Sequence, residues 1–160
     1  MPAHLKQDRE ILGDYVCLLL EQDAHGVAEK VILRALKRDW DSSLARLYGF
    51  VQSDNPARQL TEAERWLPSH QKDAQLLLTL GRLSARDKLW GKARDYFESS
   101  YRLERSAEVC AELGRLLNAL GEPKVAAAYY REGLELQQHA LPELPMPVRL
   151  PAARRGAGAA

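Results

Sequence analysis

Two arginines one repeat apart offer the plainest chemistry in this chain. Arg82 and Arg115 occupy the same place in LGRL at 80–83 and LGRL at 113–116. Guanidiniums standing side by side recognise carboxylates through paired N–H···O bonds. With Tyr48 beside them they are expected to form a cradle for a carboxylate-bearing peptide. A solvated basic stripe, offset by nearby glutamates, is the alternative reading of the same residues. Other chemistries find less support. His4, His25, His70 and His139 fall in or near expected turns and helix ends, which suits surface or capping roles. Cys17 and Cys110 lie far apart without metal-type spacing and read as buried small hydrophobes. Glu62, Glu64, Asp95 and Glu98 fall on expected solvent faces of helices. No nucleophile elbow, P-loop, HExxH or GxGxxG motif occurs. Neither catalysis nor a cofactor or metal is expected.

Helices must position these arginines. Residues 76–103, LLLTLGRLSARDKLWGKARDYFESSYRL, hold two amphipathic patterns back to back. Leu77, Leu80, Gly81 and Ser84 share one face of the first; Ala93, Tyr96, Phe97, Ser100 and Leu103 share one face of the second. A mid-helix glycine costs about 1 kcal/mol relative to alanine, so Gly81 points to a closely approaching partner helix. The pattern then returns. Gly81 to Gly114, Ala93 to Ala126, Phe97 to Tyr130 and Leu103 to Leu136 are all 33 residues apart. Aligning the recurrent alanines gives Ala28, Ala63, Ala93 and Ala126, at offsets of 35, 30 and 33.

A period near 34 with this pattern resembles the tetratricopeptide repeat, two antiparallel helices per unit. The expectation is an all-α, tetratricopeptide-like α-α superhelix (solenoid) of about four helical hairpins. The units run about 9–43, 44–73, 74–106 and 107–140, the second being irregular. Helices are expected over 3–22, 27–38, 42–52 and 57–69, with Pro68 ending or distorting the last. Hairpins over 73–104 and 107–138 follow. From 141 to 160 the chain is rich in Pro, Gly and Ala, without helical period, and is expected to be extended or disordered.

In a stacked array the first helix of each unit lines the concave groove. The residues expected there are Tyr48 and Gln52 in the second unit, and Gln75, Leu78, Arg82 and Arg86 in the third. In the fourth they are Glu108, Ala111, Arg115 and Asn118. Trp40, Trp66 and Trp90 lie near turns and read as plugs between repeats rather than exposed anchors. A net charge of +1 argues against nucleic acid as partner. Apolar runs such as 16–20 fall short of the roughly 18 residues a membrane span needs. The polar start, MPAHLKQDREIL, lacks a signal-peptide pattern.

Several segments are more specific than a generic repeat. RLYG, AERWL, LLLTLGRL and LWGKAR, within residues 44–100, resemble the C-terminal repeat region of the HemY family, bacterial inner-membrane proteins associated with haem biosynthesis. The resemblance covers about residues 5–138. It does not extend to the flavin-dependent protoporphyrinogen oxidase of the same name. It implies a non-catalytic scaffold or adaptor for protein partners, among them haem-pathway enzymes. It also implies anchoring of the intact protein in the inner membrane by two N-terminal helices absent from this chain, with the repeats facing the cytoplasm. Direct haem or porphyrin binding is the alternative, since propionates also suit Arg82 and Arg115, although no CxxCH motif or paired histidine spacing accompanies them. Self-association of the array is a third possibility.

Overall fold

A computed structural model describes residues 3–138, with side chains described for residues 8–137. The order is α1 (Ala3–Glu21), α2 (His25–Arg38), α3 (Ser42–Tyr48), α4 (Pro56–Glu64), a 3₁₀ turn (Leu67–Ser69), α5 (Ala74–Arg86), α6 (Trp90–Leu103), α7 (Ala107–Ala119) and α8 (Pro123–Gln138). No strand occurs among the described residues. Helix starts follow local chemistry. The side chains of Asp41, Asn55, Asp73 and Ser106 accept from backbone N–H groups of the turn they precede. Pro56 and Pro123 open their helices, where a missing N–H costs nothing.

Three of the turns between helices use one device. Asp23, Lys88 and Gly121 adopt positive φ of 55°, 62° and 85°. The next N–H in each case reaches five residues back: Ala24 to Leu19 O at 2.8 Å, Leu89 to Ser84 O at 2.9 Å, Glu122 to Leu117 O at 2.9 Å. This closure satisfies orphan helix-end carbonyls and sends the next helix back along the previous one. Residues 49–55, between α3 and α4, lack it. There the expected helix over 42–52 stops at Tyr48. Gly49, Phe50 and Val51 tighten into i→i−3 bonds, and Arg86 takes the carbonyls of Gly49 and Val51. The expected helix over 57–69 likewise stops at Glu64 and resumes as the 3₁₀ turn holding Pro68, which has no N–H to continue an α-helix.

The centre of the array is α5, with nine of its thirteen residues buried, which explains why LLLTL is apolar almost all round. Leu76, Leu80 and Leu83 join a core with Val16, Ile32, Leu44, Val51 and Leu60. Leu78 joins a second core with Ala93, Phe97, Val109 and Leu113. Ala28, Ala63, Ala93 and Ala126 are all buried. A Cβ at Gly81 would fall 2.3 Å from the Phe97 ring, and one at Gly114 would fall 2.4 Å from the Tyr130 ring. The two glycines are therefore contact surfaces for the aromatic residue of the returning helix. Ser100 completes the α5–α6 hairpin by donating to Ala74 O at 2.8 Å.

Trp40 and Trp66 plug the seam around α3. Trp40 stacks on His70 with 3.8 Å between centroids and meets Trp66 edge-on; Trp66 in turn meets buried Tyr48. Asp73 ties this seam to α5. It caps α5 through Gln75 N and Leu76 N, and its other oxygen accepts from Trp40 Nε1 and Ser42 Oγ. Burial pushes its carboxyl up, but these four donors outweigh burial and hold it below the usual carboxylate range. Such a group stabilises the fold above its ordinary pKa, and the contribution is lost as pH falls through the depressed value. Asp73→Asn can still cap α5, but its NH₂ then faces Trp40 Nε1–H, which can only donate, and the Ser42 hydroxyl must turn to accept. A loss of roughly 2 kcal/mol at neutral pH is expected, with the wild-type and variant urea midpoints converging in acid. A gap that stays constant with pH would show that the charge of Asp73 contributes nothing.

Some expectations fail at the surface. Cys17 is exposed, and of the two cysteines only Cys110 is buried. Leu103, expected on the shared face of its helix, is exposed. The side chain of His4, His139 and the segment 141–160 lie outside the described residues.

Candidate functional site

Along α3, α5 and α7, where the groove is expected, the charges are largely committed to one another. Arg46 of α3 donates from Nε to Glu108 Oε2 at 2.7 Å. Arg82 of α5 donates from Nη2 to Glu108 Oε1 at 2.6 Å and from Nε to Glu112 Oε1 at 2.9 Å. Arg115 reaches Glu112 Oε2 at 3.3 Å from within α7. The guanidinium of Arg82 lies 4.4 Å from the centre of the Phe50 ring. The result is a ladder of alternating charge that straps three helices together. Burial pushes the Glu108 carboxyl up, but Arg46 and Arg82 prevail and hold it below its usual range.

Beside the ladder lies a cleft of about 540 Å³ between the loop after α3, the C-terminal half of α5, the start of α6 and the face of α7. Phe50 and Trp90 provide apolar surface, at 41% and 46% exposure. Three guanidiniums, Arg82, Arg86 and Arg115, line the cleft against one carboxylate, Glu112. Arg86 donates to Val51 O at 2.8 Å and Gly49 O at 3.1 Å, so it also holds the loop that carries Phe50. Burial lowers its pKa, and the neighbouring charge of Arg82 lowers it further. Arg82 Nη1 is buried without an acceptor. Chemically, such an arrangement of donors beside aromatic surface suits an anionic group carried on an apolar body.

The sequence-derived site residues divide accordingly. Gln52, Arg82, Arg86 and Arg115 come together at the cleft. Tyr48 does not: it is fully buried, donates to Glu29 Oε1 at 3.2 Å and packs on Trp66. Its place in the cradle is taken by Phe50, two residues on. Leu78 is core. Gln75 lines a separate hollow with Trp40, Ser42 and His70, and Asn118 is exposed outside the cleft lining. Arg82 and Arg115 do stand next to each other, but with Glu112 between them. Trp90, expected as a plug, is instead an exposed wall of the cleft. His25 Nδ1 accepts from Gln52 N at 3.3 Å, and His70 stacks on Trp40, so both are engaged within the protein. Phe50 is not legible from periodicity, because it follows the last helical residue of α3 and belongs to no periodic stripe. Its signal in the sequence is an apolar residue beyond the stripe, entering the turn over 49–55.

No protein-family model matches the chain. It is 32% identical to Protein HemY of Escherichia coli strain K12 over 119 residues, which are 74% of this chain and 30% of that protein. Protein HemY of Shigella flexneri matches to the same extent. The chain thus spans less than a third of the length of these relatives. Among solved structures it is similar to "MamA MSR-1 C2", with a TM-score of 0.56 at 13% identity over 76% of this chain and 72% of that one. A crystal structure of MamA protein gives 0.56 at 18% identity over 90% and 83%. These two neighbours have tetratricopeptide-type helical solenoids, and they show the fold alone. None of the described helices is long and apolar enough to cross a membrane. Taken with the repeat pattern, these similarities give the chain a tetratricopeptide-type repeat fold and a sequence similar to part of the HemY proteins.

Proposed function

We propose that the chain is a non-catalytic docking scaffold whose concave cleft binds an extended segment of a partner protein. The segment presents an acidic group to Arg115 and Arg86 and an apolar side chain to Phe50 and Trp90. The observation that carries this reading is the pairing of two half-exposed aromatic rings with three guanidiniums facing one carboxylate. Exposed aromatic and arginine anchors supply most of the binding energy at protein interfaces. The similarity to HemY proteins suggests a partner from haem biosynthesis. On this reading the intact, longer protein holds the scaffold at the inner membrane, with the repeats on the cytoplasmic side.

The test uses the intact protein as bait for crosslinking in cells. Wild type is expected to recover a haem-pathway enzyme, and Trp90→Ala with Arg115→Glu is expected to lose at least about tenfold of that signal. Both positions are exposed, so helicity should be unchanged. Equal recovery by the variant would remove the cleft from partner binding. Haem titration separates the runner-up, a haem or porphyrin carrier. A Soret shift that saturates at one equivalent and disappears in Trp90→Ala would replace the scaffold reading by a carrier.

A further inference from the structure

We propose that a second docking groove lies between α1 and α2, at the opposite end of the array from α8, and that it takes an acidic amphipathic helix of a partner protein. Its floor is apolar: Leu12 and Tyr15 from α1, and Val27, Val31 and Ala35 from α2, enclosing about 380 Å³. The three α2 residues recur every four positions, so the floor runs along the helix axis. Lys30, Arg34 and Arg38 recur at the same spacing and form the wall beside it. No carboxylate lines this groove. Lys30, Arg34 and Arg38 take part in no ion pair among the described residues. A hollow of about 290 Å³ adjoins it, sharing Leu12, Ala35 and Arg38. There Asp39 and Asp41 are already paired with Arg9.

The occupant follows from shape and charge. From 27 to 38 the groove runs about 17 Å at 1.5 Å per residue, roughly three helical turns. An apolar floor beside cations one turn apart is the complement of a helix with apolar residues at i and i+4 and carboxylates at the same interval along one flank. Tyr15 and Val27 are about half exposed, and Ile11 and Leu18 are exposed on the same helix as Tyr15, so a bound helix would cover apolar surface that no described element covers. A flat anionic surface would meet the cationic wall and leave the concave floor unfilled, which favours a protein helix over a membrane. None of these residues lines the concave cleft, so the two sites are independent.

The experiment is a display selection against the immobilised chain. The library consists of amphipathic helical peptides of about 18 residues, with a fixed leucine stripe and flank positions varied among Glu, Gln and Lys. Enriched peptides should carry Glu along one flank and bind with salt-sensitive, micromolar affinity by fluorescence anisotropy. Lys30→Glu with Arg34→Glu, both on the exposed face of α2, should weaken binding by at least about tenfold, as expected for reversing close charge pairs. Trp90→Ala should bind the same peptides undiminished, which separates this groove from the concave cleft. Absence of enrichment, enrichment indifferent to flank charge, or undiminished binding by the charge-reversed variant would overturn the proposal. So would charge-dependent binding of the chain to phosphatidylglycerol vesicles that displaces the peptides, because the groove would then be a membrane contact.

Discussion

Gly81→Ala should lower the free energy of unfolding by about 2 kcal/mol, seen as a fall in Tm of about 4–8 °C. In an ordinary exposed helix the same change would stabilise by about 1 kcal/mol, because alanine is the better helix former. Here the added methyl would sit 2.3 Å from Cδ1 and Cε1 of Phe97 and 2.9 Å from its Cγ. The clash therefore reaches the root of the ring, and a rotation of the ring tip does not relieve it. Phe97 is 2% exposed and packs among Leu78, Ala93, Val109 and Leu113, so displacing it, even toward the cleft it borders, disturbs the second core. Either α5 and α6 move apart or the second core loosens. The cause is separable by a double-mutant cycle. Once Phe97→Leu has made room, Gly81→Ala should become neutral or mildly stabilising. Gly114→Ala is the internal control. Its clash with Tyr130 is as close, at 2.4 Å, but Tyr130 is 39% exposed and can swing outward, so the cost should be clearly smaller. A rise in Tm for Gly81→Ala would refute close packing at this hairpin.

That prediction draws on the part of the molecule most legible in the sequence. The 33-residue echo joining Gly81 with Gly114 and Phe97 with Tyr130 marks side-chain pairs that recur because each hairpin meets the same packing problem. The recurrent alanines mark the same seam, and all are buried. Repeat architecture is readable because its constraints act locally and are stated several times over. The groove was less readable. Periodicity placed Arg82, Arg86 and Arg115 along one surface, but it could not distinguish an arginine that faces a ligand from one that faces a glutamate on the next helix. Glu108 and Glu112 pair with Arg82 only because α7 packs beside α5, a relation set by stacking between units. Tyr48 failed for a similar reason. It lies on the expected groove face of α3, yet Trp66, in the turn after α4, and Glu29 of α2 engage it inside the fold. Phe50 and Trp90 belong to no stripe. They become neighbours of one cleft because Arg86 fixes the 49–51 loop against α5.

The division between structural and recognition arginines yields the second large effect. Arg82→Met, which keeps the apolar stem and removes the guanidinium, should cost roughly 2–3 kcal/mol. The side chain of Arg82 is 10% exposed, and its two acceptors, Glu108 and Glu112, are largely covered. Removing one member of a buried pair leaves uncompensated charge and typically costs about 3–5 kcal/mol. The remaining contacts from Arg46 to Glu108 and Arg115 to Glu112 reduce that figure. Arg115→Met should change stability by less than about 0.5 kcal/mol, because its pair is exposed and lies within one helix. The acid limb provides a second readout. Glu108 is held below the usual carboxylate range, so its contribution is present above the ordinary value and lost as pH falls through the depressed one. With Arg82 gone, Glu108 should protonate nearer its ordinary value, and the stability gap between wild type and Arg82→Met should narrow in acid. Coupling between Arg82→Met and Glu108→Gln, measured by urea unfolding, should exceed about 1 kcal/mol. In partner capture the order reverses. Arg115→Glu should abolish binding at unchanged stability, whereas Arg82→Met should weaken it only in proportion to the loosening of α7 from α5. If Arg82→Met leaves both the urea midpoint and its pH dependence unchanged, the ladder does not hold the array together, and Arg82 returns to the cleft as a ligand-facing residue.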